Sequence, residues 1–131
     1  MTEDWLPLER FRCQPDGGVE AEVRFKPDSP WFEGHFPGRP ILPGMAFLAL
    51  IRAMVLRAIQ KQGHKARVTM FKKVKFKRIV RPGENLLIRL DCVPTATSAR
   101  CRFEITASGR SACAGELQVE LDPIVIPPKG D

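Results

Sequence analysis

Residues 34–44 read Gly-His-Phe-Pro-Gly-Arg-Pro-Ile-Leu-Pro-Gly, and this stretch limits the fold more than any other part of the chain. Pro37, Pro40 and Pro43 each hold φ near roughly −65° and each remove a backbone donor. Gly34, Gly38 and Gly44 permit turns that other residues resist. Such a segment can be neither a helix interior nor a central strand. It is a stiff loop with one shape, and it carries one histidine, His35. An apolar run follows at once. Pro43 suits the first turn of a helix, where its missing N–H costs nothing. Phe47, Leu48, Ile51, Val55, Ala58 and Ile59 then recur at helical spacing, and Gly63 stops the pattern. The spacing predicts one long helix over residues 44 to about 62, fed by a rigid loop.

Around that unit the chain alternates. Trp5 to Phe11 reads as a short amphipathic lead-in, a turn of helix or irregular. Asp16-Gly17-Gly18 is a turn. Val19, Ala21, Val23 and Phe25 oppose Glu20, Glu22 and Arg24, a period of two that predicts a strand. After the helix, Val68, Met70, Val74 and Phe76 share parity, with Lys73, Lys75 and Lys77 on the other face. Pro82-Gly83 turns, and Leu86, Ile88, Leu90 and Cys92 continue the alternation. Pro94 to Ser98 is a loop. Cys101, Phe103, Ile105 and Ala107 form another strand, which Ser108-Gly109 turns into Cys113, Gly115, Leu117, Val119 and Leu121. One strand, one long helix and four consecutive strands make an α+β sheet packed on a helix. Residues 1–131 form a single domain, with a Pro-rich tail from about 123 that is extended or frayed.

Charge narrows the partners. The formal net charge is +6, and no Asp or Glu occurs between Glu33 and Glu84. A positive surface draws acidic partners. The N-terminus has no apolar signal segment, and Ile41 to Ile51 is too short to span a bilayer, so a cytoplasmic protein is expected. Cys13, Cys92, Cys101 and Cys113 lack metal-type spacing and are expected to be reduced. No metal constellation, phosphate-binding glycine loop or Ser/His/Asp set is present.

The loop from His35 to Gly44 resembles the histidine loop of the bacterial 3-hydroxyacyl-acyl-carrier-protein dehydratases. Phe76-Lys-Arg-Ile-Val-Arg-Pro-Gly-Glu84 resembles that family's second recurrent segment. The resemblance covers about residues 5 to 120. It implies the hotdog fold, an antiparallel sheet wrapped around one long helix, assembled as a homodimer or higher homo-oligomer. The helix-and-strand pattern by itself also fits other α+β sandwiches; the motif is what selects the hotdog. The resemblance further implies an acyl thioester substrate on acyl carrier protein or CoA, with no cofactor, no metal, no nucleic acid and no membrane. His35 would remove the α-proton of the thioester. The amide of Gly44, at the helix N-terminus, would polarise its carbonyl. Phe36, Pro43, Met45, Ala49 and Ala53 would line the acyl tunnel.

The chain departs from the family at one decisive point. The family carries a carboxylate fourteen residues after the histidine, which protonates the leaving hydroxyl. Here that position is Ala49, and Ala53 replaces the polar amide one turn later. A positioned general acid or base is worth roughly 10²–10⁴ in rate. Neither Glu33, a loop charge, nor His64, past the helix end, is placed to replace it. Arg52 either binds an anionic group or extends to solvent. Three readings therefore stand: a dehydratase with weak turnover, a silent acyl- or carrier-binding homologue that partners an active relative, and a hotdog thioesterase. Arg39, Lys73, Lys75, Lys77, Arg78 and Arg81 form the candidate docking surface for an acidic carrier protein. The plainer alternative is a solvated strand edge protected from aggregation.

Overall fold

The computed structural model describes residues 6–16, 18–32 and 40–122. The apolar run after Pro43 forms helix α1, Gly44–Lys61. Six strands surround it: β1 Leu8–Cys13, β2 Val19–Arg24, β3 Ala66–Phe76, β4 Asn85–Pro94, β5 Ser98–Ala107 and β6 Arg110–Leu121. All pair antiparallel in one sheet of order β1-β2-β4-β5-β6-β3, so β1 and β3 are the edges. The β2 to β4 step skips the loop, the helix and β3, which places α1 across one face of the sheet.

Alternation decides which face that is. Val19, Ala21, Val23 and Phe25, then Leu86, Ile88 and Leu90, then Cys101, Phe103, Ile105 and Ala107 are all buried, while their neighbours of opposite parity face out. They form one cluster with Phe47, Leu50, Ile51, Met54 and Val55 of the helix. No charged or polar residue lies in this core among the described residues. The helix stripe is turned slightly from its predicted position. Ala46, Leu50 and Met54 are fully buried, whereas Leu48 and Ala58 lie at the half-buried margin.

The turns follow their residues. Gly63 takes φ +84° and its N–H donates to the Gln60 carbonyl, ending α1. Ser108 and Gly109 have φ of +51° and +80°, the two-residue turn whose twist matches an antiparallel hairpin.

Three expectations need correction. The lead-in is not a helical turn: Leu8–Cys13 is strand β1, paired with β2. Its weak alternation is explained by an irregular register between Glu9 and Arg12, with Arg10 at φ +49°. Met70 does not share a face with Val68. The β3–β6 register slips by one residue between Val68 and Met70, and again between Lys72 and Lys75, where Lys73 has φ +53°. Each bulge inserts one unmatched residue and flips parity. Phe71 therefore turns inward, edge-to-face with Phe103 at 6.3 Å, and Met70 is 51% exposed. The second bulge restores the original parity for Val74 and Phe76. Finally, Cys92 and Cys101 are not free thiols. They face each other across β4 and β5 and are joined as a disulfide, while Cys13 and Cys113 are free.

Two consequences can be measured. Met54→Ala removes a side chain with no exposure at the helix–sheet contact, so chemical denaturation should show a loss of about 2–5 kcal/mol. Burial pushes the Cys113 thiol up to about 11, against a smaller opposing pull from Lys77. A raised thiol pKa means the neutral form is favoured by folding. That contribution is complete below the unfolded value and is lost as pH rises through about 11. Alkylation of Cys113 in the folded protein should thus be far slower than that of exposed Cys13 at pH 8, and the difference should vanish in denaturant.

Candidate functional site

The start of α1 is built by two crossing segments. The Leu42 N–H donates to the Val80 carbonyl at 2.8 Å, so the chain before the helix is pinned to the chain after β3. Pro43 is the N-cap residue, extended at φ −69° and ψ 152°, and supplies no side-chain cap. The Ala46 N–H bonds back to the Pro43 carbonyl at 2.9 Å, and among the described residues no side chain caps the Gly44 and Met45 amides at the helix mouth.

Gly44 lets the Phe76 ring approach the helix start closely. A Cβ on it would lie 3.0 Å from Cζ of Phe76, whose ring covers the helix start. The same ring tilts against Phe47 at 6.0 Å. Phe76, Met45 and Ile79 are each more than half exposed. The helix mouth thus combines backbone donors, the positive end of the helix dipole and exposed apolar side chains. Such a mouth can hold an oxygen that gains negative charge, next to an apolar chain.

Farther along α1, Ala49 is half-buried against the core. Ala53 opens onto a groove of about 650 Å³ that also meets Leu6, Pro7, Leu8, Arg57 and Gln60. Arg57 and Lys61 both sit over the Phe11 ring, at 4.7 Å from its centroid, and tie β1 to the helix. Arg52 is exposed, in keeping with the solvent-directed alternative, and His64 is half-buried beside Leu56, Gln60 and Asp122.

The basic strand divides. Lys73, Lys75 and Lys77 border a groove of about 670 Å³ with Arg89, Asp91, Arg102, Glu104 and Glu116. Arg102 and Glu104 alternate with the buried positions of β5, so this groove lies on the sheet face away from the helix. Arg89 pairs with Asp16 at 2.7 Å, Asp91 at 2.9 Å and Glu20 at 3.4 Å, and Arg102 with Glu116 at 3.6 Å. The acceptors on Asp91 and Asp16 hold the Arg89 guanidinium above its ordinary pKa. The Gly18 amide, and then Arg89, lower that of Asp16. None of the ion pairs among the described residues uses Lys73, Lys75 or Lys77. Arg78 donates to the Ala107 carbonyl at 3.4 Å and lies 4.0 Å from Glu84. Arg81 receives the Glu84 carboxylate on its backbone N–H at 2.7 Å.

Pro43, Gly44 and Met45 are therefore brought together at the helix mouth, with Ala49 and Ala53 one and two turns beyond. His35, Phe36 and Arg39 lie outside the described residues. Sequence reasoning missed Phe76 as the cover of Gly44, because parity alone placed it in the core. It also missed the Leu6–Leu8 wall beside Ala53, whose apolar residues were legible but whose partner was not. Among the described residues no three His, Cys, Asp or Glu side chains converge as metal ligands, and no helix is long and apolar enough to cross a membrane.

Comparison with known proteins agrees with this architecture. Residues 12–116 match the ApeI-like family, described as ApeI dehydratase. The chain is 32% identical over 122 residues to the 3-hydroxyacyl-acyl-carrier-protein dehydratase FabZ of Clostridium perfringens strain SM101, covering 89% of this chain and 88% of the relative. Among solved structures it is similar to the dehydratase heterocomplex ApeI:P from Xenorhabdus doucetiae, with TM-score 0.70, 20% identity, and coverage of 86% of this chain and 96% of that one. It is also similar to a hypothetical thioesterase with coenzyme A from Streptococcus pneumoniae TIGR4, with TM-score 0.70, 16% identity, and coverage of 88% and 84%. These neighbours share the six-stranded antiparallel sheet on one helix, so the fold is the hotdog, and the chain belongs to the ApeI-like family of hotdog dehydratases.

Proposed function

We propose that this protein binds acyl thioesters at the mouth of α1 and is, at most, a weak 3-hydroxyacyl thioester dehydratase. The observation that carries the reading is the uncapped helix start at Gly44, roofed by Phe76, set against Ala49 where the relatives hold their acid. The thioester carbonyl would accept from the Gly44 amide, and the developing oxyanion would be favoured by the helix dipole. His35 would take the α-proton. The β-hydroxyl then leaves without a positioned proton donor, which accounts for slow chemistry rather than for lost binding. Ala49 and Ala53 in place of larger polar groups leave room for the acyl chain, with Pro43, Met45 and Phe36 along its wall.

A complete site in this reading needs a second protomer, a homodimer in the first instance. The outer edge of β3 carries no partner strand within the described chain, so a second copy can extend the sheet there. Ala49 specifically favours a second reading, in which the chain is the silent half of a pair and a related chain supplies the carboxylate. The ApeI:P neighbour is described as a heterocomplex. Carrier protein is favoured over CoA by lysines on the outer groove that make no ion pair among the described residues, because acyl carrier protein is acidic. Arg39, Arg78 and Arg81 would add to that surface.

Two experiments test these statements. With 3-hydroxyacyl carrier-protein thioester as substrate and mass spectrometry as readout, the natural protein should turn over slowly or not at all, and Ala49→Glu should raise the rate by about 10²-fold or more. Robust turnover that is unchanged by the substitution would place the acid elsewhere. A protein that stays silent as Ala49→Glu yet still binds the thioester would support the paired-chain reading. Separately, reversing Lys73, Lys75 and Lys77 to Glu should weaken binding of acyl carrier protein several-fold at low salt, with the difference shrinking near 0.5 M salt. Equal affinity in both proteins at all salt concentrations would leave the lysines as solvated surface.

A further inference from the structure

The disulfide on β4 and β5 has a geometry that distinguishes its two sulfurs. Cys92 and Cys101 are directly opposed in the strand register, with Cα atoms 4.1 Å apart. That is the narrow type of antiparallel pair, in which no backbone hydrogen bonds intervene and side chains lie closest. Both side chains point to the helix side, the parity of Leu90 and Phe103. Their surroundings differ. Cys101 sits mid-sheet between β4 and β6, opposite Leu117, and has no exposure. Cys92 is half-buried, near the open end of β4, and next to Val93, which is 70% exposed. The other cysteines cannot share this chemistry through the fold: Cys13 is exposed on edge strand β1, and Cys113 is buried with a raised thiol pKa.

We propose that Cys92 and Cys101 form a reversible dithiol–disulfide site that exchanges with a small thiol such as glutathione, with Cys92 the sulfur that is attacked and Cys101 the resolving thiol. This does not depend on the acyl-thioester reading. In reduction, an external thiolate attacks Sγ of Cys92. The Cys92–Cys101 bond breaks, its electron pair goes to Sγ of Cys101, and that sulfur takes a proton. A second external thiolate attacks the external sulfur of the mixed disulfide and releases Cys92. Two external thiols have become one disulfide, and the protein has gained two thiols. Oxidation runs the same steps backwards, with oxidised glutathione as oxidant. Access sets the order of events, because exchange requires the attacking thiolate to reach a sulfur in line with the bond. Closing the nine-residue separation between the two cysteines tightens the hairpin end of residues 95–97, so the site also couples redox state to local stability.

The test uses the whole protein and glutathione. Millimolar reduced glutathione should release two alkylatable thiols, mapped to Cys92 and Cys101, from the folded protein, and oxidised glutathione should remove them again. Reduction should lower the melting temperature by about 5 °C. Cys101→Ser, treated with oxidised glutathione, should trap a glutathione adduct on Cys92. Cys92→Ser should leave Cys101 unmodified while folded. An adduct on Cys101 in Cys92→Ser would overturn the assigned order. Thiols that appear only after denaturation would show a permanent staple, and thiols that never pair with oxidised glutathione would show no site. If either variant fails to fold by circular dichroism, thiol release and recapture in the natural protein decides alone.

Discussion

Everything in this molecule depends on burying one apolar helix in the concave face of one sheet. Leu50, Ile51, Met54 and Val55 have no exposure, and neither do Ile88, Leu90, Ile105 and Val119 across from them. At about 25 cal/mol per Å² of apolar surface, contacts of this kind are the main favourable term for a chain of this size. Among the described residues the core contains no polar side chain that would need a partner. Helix position is therefore set by fit, and the helix mouth is held wherever that fit puts it. The Leu42–Val80 hydrogen bond adds the local constraint, tying the loop before the helix to the segment after β3.

The site is a by-product of that burial. A helix buried along its length still has unsatisfied N–H groups at its start, and Pro43 offers them no cap. Capping by Ser, Thr, Asp or Asn would stabilise the helix by about 1 kcal/mol. With Pro43 at the N-cap the helix lacks this, and among the described residues no side chain caps the donors beside Phe76 and Met45. Gly44 permits the close approach of the Phe76 ring, which any Cβ would push aside. One helix end thus goes without that stabilisation, and it is the end that the proposed function uses.

The two bulges of β3 have a related effect. Without them, an eleven-residue edge strand would present a continuous alternation. With them, Phe71 is turned in, Met70 out, and Lys73 is placed in the left-handed region. The strand delivers an aromatic ring to the helix mouth and lysines to the opposite face within five residues. Across that face Arg89 and Arg102 pair with carboxylates, whereas Lys73, Lys75 and Lys77 make no ion pair among the described residues.

The sequence by itself determined the elements whose causes are local. Pro43 and the apolar spacing after it set the start and length of α1, Gly63 its end, and Ser108-Gly109 the tight hairpin. Period-two patterns predicted the buried faces of β2, β4 and β5, and that of β6 from Cys113 on; Ala112, the extra residue where the β5–β6 register shifts, is buried as well and breaks the alternation. The His35–Gly44 loop pointed to the family, and Ala49 stood out against its motif. Other features required the tertiary structure, because their causes lie far away in the chain. β1 became a strand through pairing with β2, since its own residues alternate poorly. Met70 faced out because β6 is shorter by one residue at each bulge, a mismatch between two strands that neither shows alone. Cys92 and Cys101 met because β4 and β5 share a register, and the Phe76 ring came over Gly44 where the segment before α1 is hydrogen-bonded, Leu42 to Val80, to the segment after β3. Local sequence specifies where a chain turns and which face is apolar; only closure of the sheet decides which residues become neighbours.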